Sequence, residues 1–89
     1  MKAFITVIGQ DKVGIIYKIT SVLFKNNINI LDINQTLIEN YFTMIMLVDL
    51  SKMNADFTSI KNALENKAEE IGVDVKIQRE DIFTSMQEI

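Results

Sequence analysis

Two periods of hydrophobic spacing alternate along this chain, and the switches between them mark six elements and a tail. Ala3 to Ile8 is an apolar, β-branched run closed by Gly9-Gln10-Asp11, the pattern of a strand followed by a turn. From Val13 to Phe24 the residues Ile15, Ile16, Ile19, Val22 and Leu23 recur at helical spacing, while Lys18, Ser21 and Lys25 fall elsewhere. An amphipathic helix is predicted there. Asn26-Asn27 ends it, because asparagine tolerates the left-handed conformation of a helix stop.

The middle of the chain predicts a hairpin. Asn29 to Ile38 and Tyr41 to Leu50 are two runs rich in Ile, Leu, Met, Thr and Tyr, separated by Glu39-Asn40. A turn at those two residues fixes the register: Leu37 faces Phe42, Gln35 faces Met44, Ile33 faces Met46 and Leu31 faces Val48 on one, largely apolar side. The other side pairs Ile38 with Tyr41, Thr36 with Thr43, Asn34 with Ile45, Asp32 with Leu47 and Ile30 with Asp49, a mixed surface suited to partial exposure. After Ser51-Lys52-Met53-Asn54, the residues Phe57, Ile60, Leu64, Ala68 and Ile71 mark a second helix stopped by Gly72. Val73, Val75 and Ile77 then alternate with Asp74, Lys76 and Gln78 as a half-buried strand. Ile82, Phe83, Met86 and Ile89 return to helical spacing behind Asp81, so residues 81–89 are expected to form a short amphipathic docking helix after a domain over residues 1–80.

The order β, α, β, β, α, β, combined with right-handed crossovers, predicts an α+β, ferredoxin-like sandwich. Its four-stranded antiparallel sheet carries two helices on one face, with strands two and four at the edges. At 89 residues there is material for one core. No apolar run approaches the roughly 18 residues of a spanning helix, and the start lacks a signal-peptide profile, so a cytoplasmic protein without membrane partners is expected.

Composition removes whole chemistries. Without cysteine or histidine there is no thiol nucleophile, His-based triad or usual zinc set, and a copper-type chaperone on this fold would need a cysteine pair in its first loop. The formal net charge of -3, with lysines spread singly and Tyr41 the obvious exposed aromatic, argues against nucleic acid. An acyl phosphatase needs an arginine in the first loop, and the only arginine here is Arg79. No nucleophile and base stand at a recognisable spacing, and no cofactor is expected. Asp32 and Asp49 fall near one another on the mixed face and could suggest an oxygen-only cation site, but two exposed carboxylates are commoner than a site with so few ligands.

What remains is carried by two short stretches: Gly9-Gln10-Asp11-Lys12-Val13-Gly14-Ile15 after strand one, and Asn27-Ile28-Asn29-Ile30 opening strand two. In these the chain resembles the ACT family, in particular small stand-alone bacterial ACT-domain proteins similar to those of the glycine-cleavage repressor and of amino-acid-regulated enzymes. The resemblance covers about residues 3 to 79. It implies a non-enzymatic regulator, a homodimer joined along strand two, and an amino-acid effector held between the first loop of one subunit and Asn29 of the other. Asp11 would receive the ligand ammonium, the amides near Gly14 and Ile15 would face its carboxylate, and Asn29 would supply an amide. Each residue also has a plainer reading: Asp11 as a helix cap, Gly14 as a packing glycine, Asn29 as a partner for backbone groups where the helix gives way to the strand. A protein-interaction module that holds a partner enzyme or regulator through its open sheet face and tail is the alternative function.

Overall fold

The computed structural model describes residues 1–10 and 13–81. The chain folds in the predicted order: β1 (Lys2–Gln10), α1 (Ile15–Lys25), β2 (Asn29–Ile38), β3 (Tyr41–Asp49), α2 (Phe57–Ile71) and β4 (Asp74–Arg79). The strands form one antiparallel sheet in the order β2-β3-β1-β4, the ferredoxin-like arrangement, with β2 and β4 at the edges.

Period-two alternation builds one side of the core and period-3.6 spacing the other. Ala3, Ile5 and Val7 of β1 and Phe42, Met44, Met46 and Val48 of β3 are buried beneath Ile15, Ile19, Val22 and Leu23 of α1 and Ile60, Leu64 and Ala68 of α2. Met44 and Met46 are therefore core residues, as their hairpin face predicts. No polar or charged side chain is buried among the described residues.

Both helices stop in the same way. Asn27 and Gly72 take left-handed backbone, with φ of 59° and 77°. The next amide in each case returns to the helix: Ile28 N–H donates to the Leu23 carbonyl at 2.9 Å, and Val73 N–H to that of Ala68 at 3.0 Å. This double turn satisfies carbonyls that the helix end would leave bare and buries Ile28 and Val73 as the chain enters the following strand.

The hairpin departs from its predicted register at one place. From Asp32–Leu47 to Ile38–Tyr41 the pairs are those expected, but a bulge at Leu31 then shifts β2, so Ile30 faces Val48 and Asn29 faces Asp49. The two expected pairs Leu31–Val48 and Ile30–Asp49 are thereby corrected. The shift turns Ile30 onto the core side, where it packs half-buried, and leaves Leu31 exposed.

A second departure concerns coverage. Ile33 and Leu37 lie on the core side of the sheet yet are exposed, because the helices do not extend over the outer strand β2. Smaller differences sit at element ends: β1 continues through Gly9 and Gln10, which pair with Phe42 and Tyr41, and α1 begins at Ile15. The expected helix over residues 82–89 lies outside the described residues.

Candidate functional site

The start of α1 and the start of β2 are the two places that the sequence singles out. Gly14 occupies the position before α1 with φ 86° and ψ 5°, and as a glycine it has no side chain with which to cap the helix. The first turn closes with Lys18 N–H on the Gly14 carbonyl at 2.9 Å, so the amides of Ile15, Ile16 and Tyr17 precede any intrahelical acceptor. Among the described residues, a Cβ added at Gly14 would meet only Lys18 Cε, at 3.9 Å. Crowding does not require glycine here, which corrects the packing explanation; the left-handed backbone does. Ile15 sends its side chain into the core and is 3% exposed, so only its backbone is available to a ligand. Asp11 lies outside the described residues.

Asn29 stands exposed at the first position of β2, opposite Asp49. Its surroundings are held by a corner that the sequence does not reveal. Asn27 Nδ2 donates to the Lys52 carbonyl at 2.8 Å, Asn54 N–H to the Asn26 carbonyl at 3.1 Å, and Asn54 Nδ2 to the Lys25 carbonyl at 3.3 Å. These bonds tie the α1–β2 junction to the loop after β3. Beside them the Asp49 carboxylate accepts the Ser51 N–H at 2.9 Å. Backbone and side-chain hydrogen bonds from Ser51 hold its carboxyl below the usual carboxylate value. A cleft of about 350 Å³ lies over this corner, bordered by Asn29, Asp49, Ser51 and Lys52. Next to it a depression of about 660 Å³ is lined by Tyr17, Phe24, Ile28, Asn29 and Ile30.

Tyr17 and Phe24 were not legible as surface aromatics. They stand 75% and 85% exposed on the outer side of α1, where a helical pattern ordinarily places polar residues. Their seven-residue separation is the one available signal, since it puts both on the same side of a helix. Asp32 accepts the N–H of Ile33 at 2.9 Å, and among the described residues no group of three or more Asp, Glu, His or Cys gathers to hold a metal ion.

Within one chain, the candidate residues are kept apart. Gly14 and Ile15 lie at the N-terminal end of the 11-residue α1 and Asn29 beyond its C-terminal end, a separation of about 16 Å at ~1.5 Å per residue.

Comparison with known proteins bears on this arrangement. Residues 2–78 match the model of the ACT domain. A UPF0237 protein of Clostridium acetobutylicum is 54% identical over 89 residues, the whole of both chains. The solved structure of an ACT domain protein from Streptococcus pneumoniae superposes with a TM-score of 0.81 at 40% identity, covering 93% of each chain. The regulatory subunit of aspartate kinase from Thermus thermophilus matches at 26% identity and a TM-score of 0.66, over 86% of this chain and 50% of that one.

Proposed function

The chain belongs to the ACT-domain family, and from that premise we propose that it is a non-enzymatic regulatory protein that dimerises and binds a small effector, an amino acid, between its subunits. The carrying observation is the placement of Gly14 and Asn29 at opposite ends of α1 beside the open edge strand β2. If two copies pair antiparallel along β2, their α1 helices also run antiparallel. The amide end of one then approaches the Asn29 corner of the other, and a site split within each chain becomes whole twice per dimer.

The chemistry of the two halves is complementary to an amino acid. The helix amides carry a partial positive charge for a carboxylate, and Asn29 offers both a donor and an acceptor. Asp49, kept ionised by Ser51, is an anion within the same corner for an ammonium group. Tyr17, Phe24 and Ile30 give an apolar wall for a side chain. The regulatory role of the Thermus subunit supports the same reading.

The test is a thermal-shift screen of the wild-type protein against the amino acids. A ligand present at about 100 times its dissociation constant should add about 2.7 kcal/mol of stability, and Asn29→Ala should weaken its binding by about 1–3 kcal/mol. No shift with any amino acid sinks the effector reading in favour of a protein-binding module; a shift that Asn29→Ala leaves unchanged moves the site elsewhere.

A further inference from the structure

Two hollows meet at the start of β2. Phe24, Ile28 and Asn29 border both the cleft over Asp49 and the larger depression beside it. An amino acid whose backbone is held at Asn29 and Asp49 can project its side chain over this shared border into the depression. The lining there suits apolar atoms. Leu23 and Ile28, exposed by only 1% and 6%, form the floor with half-buried Ile30, and Tyr17 and Phe24 stand exposed as walls. The hydroxyl protons of the lining are already engaged: Thr20 Oγ1 donates to the Ile16 carbonyl at 2.7 Å and Ser21 Oγ to the Lys18 carbonyl at 2.8 Å.

We propose that this depression selects the effector by its side chain, and that the effector is an amino acid with a large, uncharged, apolar side chain of the leucine or phenylalanine type. The inference rests on the effector reading above and adds the class of ligand to it. A side chain of that kind covers the rings of Tyr17 and Phe24 and gives up only water that it does not bind. A polar side chain loses its hydration and finds no free hydroxyl proton in return, which costs affinity. An acidic one meets a like charge at Asp49. Lys25, the one cation that lines the depression among the described residues, offsets this poorly, because it is exposed and lies in the last turn of α1, where the helix carbonyls already attract it. A basic side chain is repelled by the same Lys25 and finds no carboxylate in the described lining. Glycine and alanine bring too little apolar surface to cover the two rings.

Titration calorimetry on the full chain with leucine, phenylalanine, alanine, serine, aspartate and lysine tests the selection. Leucine or phenylalanine should bind at least about tenfold more tightly than each of the other four. Tyr17→Ala and Phe24→Ala, at positions exposed enough to leave the fold intact, should bring the ratio of leucine to alanine affinity toward one without altering the mass in sedimentation. A polar or charged amino acid bound as tightly as leucine and phenylalanine overturns the selection and leaves the effector reading standing, whereas silence toward every amino acid in the thermal-shift screen sinks both. Variants that weaken all amino acids by the same factor, or that change the mass, also overturn it, because the two aromatics would then serve the subunit contact alone.

Discussion

The two βαβ halves of this molecule solve the same folding problem and leave very different surfaces. α1 and β2 expose Ile16, Tyr17, Phe24, Leu31, Ile33, Leu37 and Ile38, whereas no large hydrophobic residue of α2 or β4 is exposed. The helix starts differ in the same sense. Asp56 caps α2 by accepting the Ser59 N–H at 2.8 Å, while α1 starts behind a left-handed glycine without a side-chain cap. In the half of α2 and β4, the helix and the edge strand leave no large apolar side chain exposed and the helix start is capped, so neither calls for a partner. The other half carries, on one side of the molecule, both an apolar surface and a set of helix amides that a partner or ligand would satisfy. The proposed subunit contact and effector site both draw on that unfinished half.

The largest expected effect is on assembly. Leu37→Lys places a charge on the exposed core side of β2 and should halve the mass of the protein in sedimentation, whereas the matching edge change Lys76→Glu on β4 should leave it unaltered. A Leu37→Lys protein of unchanged mass, or a wild-type monomer at micromolar concentration, breaks the link between exposed apolar surface and pairing.

Stability and binding are expected to separate at the two left-handed glycines. Gly14→Ala and Gly72→Ala each force an L side chain into positive φ and should each cost about 1–2 kcal/mol in denaturant unfolding. Only Gly14→Ala should also lower affinity in titrations with an amino acid identified by the thermal-shift screen. Equal affinities in the two variants would reduce Gly14 to a turn residue.

The smallest effect is acid sensitivity of the finished half. Hydrogen bonds from Ser59 lower the Asp56 carboxyl below the usual carboxylate value, as those from Ser51 lower that of Asp49. A carboxyl depressed in the folded state contributes stability above its unfolded value and loses it as pH falls through the folded value. Asp56 is exposed and Asp49 only half-buried, so the loss should be slight and confined to pH below about 4. Asp56→Ala should lower the melting temperature by a few degrees at neutral pH and flatten the acid limb of the stability profile; an acid limb as steep as in the wild type would assign it to other carboxylates.

Much of this was legible along the chain because it is written in local spacing. Periods of two and 3.6 named every described strand and helix, Asn26-Asn27 and Gly72 marked the helix stops, and Glu39-Asn40 set the hairpin register as far as Asp32. Gly14, Ile15 and Asn29 could be named as candidates, but not the reason for the glycine, because spacing says nothing about the sign of φ. The cross-links of Asn27 and Asn54 join residues 25 and 29 positions apart, and no short pattern contains them. The bulge at Leu31 escaped for a related reason: a one-residue slip changes which face a side chain takes but hardly alters an apolar run that reads Ile30-Leu31. Alternation likewise put Ile33 and Leu37 on the core side of the sheet without saying whether a helix lies above them. Sequence determined which residues face together; only the tertiary structure decided which of those faces are covered, because coverage depends on where whole helices come to rest on the sheet.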